Sequence, residues 1–165
     1  MTSTFTTAVL TPLDSKPHMT RSLAALATLC CATLHFATAV HAQSNAPGPF
    51  ATPSGPVQFV RADHEFVGML DKDVFDRFGA TALAHFDEIG SANDSVTRSL
   101  VQTDSGPVLY DFRQRPPLVQ RTHERMAVKR VFWQGDDVVM QGSQGWFSLK
   151  GGVLTKLRAS KKTYR

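Results

Sequence analysis

The sequence predicts an α+β fold: a short helical N-terminal part packed on an antiparallel β-meander. Three observations carry that prediction. Over residues 64–78 apolar side chains recur four apart, the separation that aligns them on one helix face. From residue 96 onward the apolar period drops to two, and pairs containing Gly or Asp punctuate the runs, as in strands joined by tight turns. The first 42 residues differ in kind from both and read as a secretory signal that precedes the folded part.

The signal has three parts. Residues 22–40, SLAALATLCCATLHFATAV, hold no Asp, Glu, Lys or Arg. Arg21 precedes them, with Lys16 and His18 upstream, and Val40-His41-Ala42 closes them before Gln43. A basic end, an apolar run and small residues at a cleavage site are what export and processing require. Met19-Thr20-Arg21 makes a compact basic start by itself, so translation from Met19 would yield the same mature chain. An uncleaved anchor is the first competing reading, since a span needs about 20 apolar residues. Against it, the run is rich in Ala and Thr, His35 interrupts it, and a cleavage site follows at once. A lipoprotein is the second, but Leu29 before Cys30 is too large for that processing. A buried core helix is the third, and this stretch lacks the polar face it needs. The expectation is therefore a periplasmic or secreted protein with no transmembrane span in its mature chain. Cys30 and Cys31 leave with the signal, which removes disulfides, cysteine-ligated zinc, iron–sulfur clusters and a cysteine nucleophile.

Residues 43–56, QSNAPGPFATPSGP, carry no charge and read as an extended linker, with Phe50 as anchor if the stretch docks on a partner. A single domain fills 57–165. Within it Phe66, Leu70, Val74 and Phe78 predict a helix over 64–78, with Asp63 as N-cap and Gly79 just past its end. Leu83, Phe86 and Ile89 predict a second, shorter helix over 80–89, and GSANDS at 90–95 is loop. Strands are predicted at 96–102, 107–113, 126–134, 138–141, 145–150 and 153–158, with 114–125 an excursion around Pro116-Pro117. Gly151-Gly152 is the strongest local signal, because two glycines supply the positive φ of a primed turn. That turn sets Trp146 opposite Leu157, Ser148 opposite Thr155 and Lys150 opposite Val153 on one side of the sheet. A weak echo matches Leu100-Val101-Gln102 and Gly106 to Val139-Met140-Gln141 and Gly145 at an offset of 39. Two such units cannot close a propeller, so the echo reads as two ordinary hairpins.

Charge is divided unevenly. Residues 61–104 carry nine acids against four bases, and residues 105–165 four acids against twelve bases. The sheet half therefore attracts anions, unless its charges only face the acidic half of the same domain. Arg130, Trp133, Trp146, Lys150, Lys156 and Arg158 form the candidate binding set, since aromatics among bases stack and grip anionic ligands. The partners that fit are lipid head groups, acidic polysaccharide or an acidic protein, with nucleic acid also compatible. Both tryptophans also suit a core.

Catalytic signatures are thin. There is no HExxH pair, no phosphate loop and no dinucleotide fingerprint. Gly142-Ser143-Gln144-Gly145 has its serine one place early for a nucleophile elbow. No cofactor is expected. The favoured reading is a small exported binding or accessory protein of the cell envelope. The alternative is a small hydrolase or metal-dependent enzyme using His64 and His85 with nearby carboxylates.

Overall fold

Where α+β is expected, the described chain is all-β. The computed structural model describes residues 43–91 and 94–158; the expected signal over 1–42 lies outside the described residues. Eleven strands follow in order: β1 (Val57–Ala62), β2 (Glu65–Leu70), β3 (Asp73–Gly79), β4 (His85–Ile89), β5 (Val96–Thr103), β6 (Gly106–Asp111), β7 (Leu118–Arg121), β8 (Val128–Gln134), β9 (Asp137–Gly142), β10 (Gly145–Lys150) and β11 (Val153–Leu157). They form three antiparallel sheets, each built from consecutive strands: β1-β2-β3, then β4-β5-β6-β7, then β8-β9-β10-β11. No helix among the described residues is long and apolar enough to cross a membrane.

Both expected helices are corrected to strands. Residues 64–78 are the β2–β3 hairpin, turning at Asp71-Lys72 with Asp71 at φ 56°. The misreading has a simple cause: a spacing of four is also a multiple of two, so Phe66 and Leu70 share a strand face as readily as a helix face. The register shifts after Gly68, which turns Val74 outward and Phe75 inward. The Phe75 ring fills the space over Gly68, where a Cβ would come within 2.7 Å of it. Asp63, expected as an N-cap, sits at φ 52° in the β1–β2 turn, and Gly79 ends β3. The shorter expected helix over 80–89 is a loop followed by β4. Later strands match their expected positions more closely. Gly151 and Gly152 adopt φ 53° and 81°, and the β10–β11 register pairs Trp146 with Leu157, Ser148 with Thr155 and Lys150 with Val153.

The echo at offset 39 is structural. Thr103 pairs with Gly106 and Gly142 with Gly145, each closing a two-residue turn, and the two glycines share a φ of 128° and 125°. A third hairpin joins them: Ala62 pairs with Glu65 around Asp63-His64. Counting back from each turn, Val60–Val67, Val101–Val108 and Met140–Phe147 are equivalent cross-strand pairs. Phe59–Gly68, Leu100–Leu109 and Val139–Ser148 are equivalent pairs on the opposite face. Each sheet thus has a leading face, carrying the first set, and a trailing face, carrying the second.

The sheets stack trailing face on leading face. Phe59, Phe66, Leu70 and Phe78 of the first sheet meet Val101, Val108 and Tyr110 of the second in one core. Phe86, Leu100 and Leu109 on the second sheet's other side meet Val131, Val138, Met140, Phe147 and Leu149 of the third in another. The middle sheet is covered on both sides, and its central strands β5 and β6 are buried along most of their length, the polar Arg98 and Ser99 included.

Residues 43–56, expected as a linker, are bonded to the body of the domain. Phe50 and Val57 exchange backbone bonds at 2.9 and 3.0 Å, Phe59 N–H donates to the Pro47 carbonyl at 2.7 Å, and Ser44 bridges to His85. The Phe50 side chain packs on the first core.

Candidate binding face on the third sheet

The trailing face of the third sheet has no sheet over it among the described residues. Strand alternation brings Phe132 and Arg130 from β8, Val139 and Gln141 from β9, Trp146, Ser148 and Lys150 from β10, and Val153 and Leu157 from β11 to this side. Trp146 is 39%, Leu157 41% and Val153 65% exposed. The Phe132 and Trp146 rings meet across the sheet at a tilt of 40°, with centroids 5.7 Å apart. Lys150 stands 3.3 Å from Asp137 at one margin, largely in solvent, where such a pair is worth little. The result is an apolar band with cations beside it.

Of the candidate binding set, this face gathers Arg130, Trp146 and Lys150. Arg158 is exposed just past the end of β11. Trp133 and Lys156 lie on the opposite side, toward the second sheet. Lys156 Nζ sits 5.8 Å from the Phe147 ring, and the Trp133 ring stacks under the Arg98 guanidinium at 4.8 Å. The residues missed are the apolar ones, Phe132, Val139, Val153 and Leu157. Their signal was available, since the register set by Gly151-Gly152 already places Leu157 beside Trp146 and Val153 beside Lys150.

Charges between the second and third sheets are structural. Arg98, 1% exposed, donates from Nε and Nη2 to Glu88 at 2.6 and 2.8 Å and from Nη2 to the Gly135 carbonyl at 2.6 Å. Burial pushes the Glu88 carboxyl upward, but the bonds from Arg98 and Thr97 outweigh it and hold the pKa below the ordinary value. Asp111 behaves alike: burial raises it, and Arg113 pulls it down. Arg113 also reaches Asp136 in the β8–β9 turn at 3.0 Å.

The two histidines of the enzymatic alternative lie in different sheets' surroundings. His64 is exposed in the β1–β2 turn, in a shallow depression of about 420 Å³ with Ala62, Asp63, Glu65 and Arg77; Glu65 there is bound by Arg77 at 2.6 Å. His85 is buried, with Nδ1 2.8 Å from Asp87 and Nε2 2.9 Å from the Ala46 carbonyl. Both partners are acceptors, so the protonated ring, with a donor on each nitrogen, is the form that satisfies both. Burial lowers its pKa, but the hydrogen bond and charge of Asp87, with the Ala46 carbonyl, outweigh it and raise the value above 6.5. A ring so engaged clamps the N-terminal stretch. Among the described residues no group of three or more His, Cys, Asp or Glu is arranged to hold a metal ion. No family model matches the chain, and no curated protein or solved structure matches it.

Proposed function

We propose that this protein is a small exported binding module whose working surface is the trailing face of its third sheet, taking an anionic partner. The observation that carries the reading is the band of exposed Trp146, Val153 and Leu157 with half-buried Phe132, flanked by Arg130 and Lys150. Contiguous exposed apolar surface on a small domain marks an interaction site, and the flanking cations favour a negatively charged occupant and speed its approach. Export is supported by the basic start, apolar run and small-residue site that precede Gln43.

Retention on an anionic matrix as a function of salt tests the surface. Arg130→Glu and Lys150→Glu are expected to elute at lower salt, each losing up to about 1 kcal/mol as an exposed charge does. Arg77→Glu, on the first sheet, is expected to change retention little. Equal retention of all three variants would remove the reading. The intact mass of protein recovered from the exported fraction is expected to begin at Gln43.

A further inference from the structure

We infer that the occupant of the third sheet's trailing face is the leading face of the first sheet of a second copy of this chain, the copies joining head to tail. The inference rests on that face being the working surface and names its partner. Inside the molecule the same joint occurs twice: a trailing face lies on the next leading face, first sheet to second and second to third. Among the described residues two faces, one of each kind, have no sheet over them. On the leading face of the first sheet Val60 is 39% and Val74 50% exposed, Met69 is half-buried and Val67 is buried. Repeat arrays that end in solvent carry polar outer faces on their terminal units; both faces here keep large apolar side chains exposed among their polar ones.

The equivalences show what each open position lacks. Leu100 of the second sheet is 1% exposed beneath the third, whereas its counterpart Val139 is half-buried with no sheet over it among the described residues. Gln102 bonds across the joint to the Met126 carbonyl at 2.8 Å and accepts from Val128 N–H at 2.9 Å; its counterpart, Gln141, stands on the open face. Charge selects head-to-tail over face-to-self. The trailing face of the third sheet carries Arg130 and Lys150 beside Asp137, and the leading face of the first carries Glu65 bonded to Arg77. Pairing two third sheets would oppose two faces that each carry more bases than acids, whereas the first sheet's face brings only its balanced Glu65–Arg77 pair. A head-to-tail contact closes into a ring or runs on as a fibre. The three described sheets of each of two copies together fall within the roughly four to eight blades of closed propellers, so the expected product is a closed dimer.

Sedimentation of the purified protein over a wide concentration range tests this. The wild type is expected to double its mass as concentration rises. Trp146→Asp and Val60→Asp are each expected to remain monomeric with thermal melts like the wild type. An equimolar mixture of the two should recover a dimer, since each supplies the face the other lacks. Val153→Asp and Val74→Asp, at more exposed sites of the same faces, replace either variant that fails to fold. A Val60→Asp protein that still dimerises would overturn head-to-tail pairing in favour of two third sheets face to face. A wild type monomeric throughout would overturn the second copy. If that monomer still loses anion retention on Arg130→Glu, the binding face stands with another occupant; if it does not, both readings fall.

Discussion

Arg98 shows how a single buried charge is accommodated in a small β protein. Its guanidinium is nearly inaccessible, so its desolvation must be offset locally. Glu88, the Gly135 carbonyl and the Trp133 face together supply that compensation. His85 is a second case with the opposite pH sense. Its folded pKa is raised above 6.5, so the stability it lends is complete below that value and is lost as pH rises through the folded pKa. Glu88 and Asp111 have depressed values; their contribution is present above the ordinary carboxylate range and is lost as pH falls through the folded pKa. Stability is therefore expected to fall on both sides of a mildly acidic optimum. The residue-specific check is an NMR titration of His85. Its midpoint is expected above 6.5 in the wild type and lower in Asp87→Asn, which removes the neighbouring negative charge. An unchanged midpoint in Asp87→Asn would mean that Asp87 does not set the protonation of the clamp.

At the scale of elements, the β10–β11 hairpin depends on two glycines in positive-φ conformations with open space around them. Gly152→Val meets no neighbour, so its cost is conformational: about 1 kcal/mol or more for a β-branched residue at positive φ. A melt equal to that of the wild type would show that the turn tolerates another geometry. This hairpin was legible because turn chemistry and alternation agreed. The segment 64–78 was not, because its apolar spacing fits both periods and Asp63 and Gly79 mimic helix ends. The deciding signals were its Val and Phe content and the Asp71-Lys72 pair, both of which favour a hairpin. Strands β1 and β7 went unassigned for another reason. They abut the proline-rich stretches at 43–56 and 114–117, whose composition masks short strands beside them. The binding face was legible in part: period two put Trp146, Ser148 and Lys150 together, but it could not show which side of the third sheet the second sheet covers.

At the scale of the whole molecule, the charge division and the offset of 39 belong to the same architecture, three sheets in series with unlike ends. Such a series predicts strong dependence between neighbours. The second core takes Phe86, Leu100 and Leu109 from the second sheet and its other buried members from residues 126–149. Ending the chain after Arg125 would expose those three side chains, each worth about 1.5–3 kcal/mol buried. It would also strip Arg98 of the Gly135 carbonyl and the Trp133 ring while leaving Glu88 in place. The apolar loss alone, about 5–9 kcal/mol on that scale, is comparable to the roughly 5–15 kcal/mol net stability of a whole domain. The truncated chain is therefore expected to lose its cooperative thermal transition and to bind a hydrophobic dye. A truncated chain that still melts in one sharp step would show that the first two sheets form an independent unit. The third sheet would then be an appended interaction element, and Arg98 would need compensation from Glu88 alone.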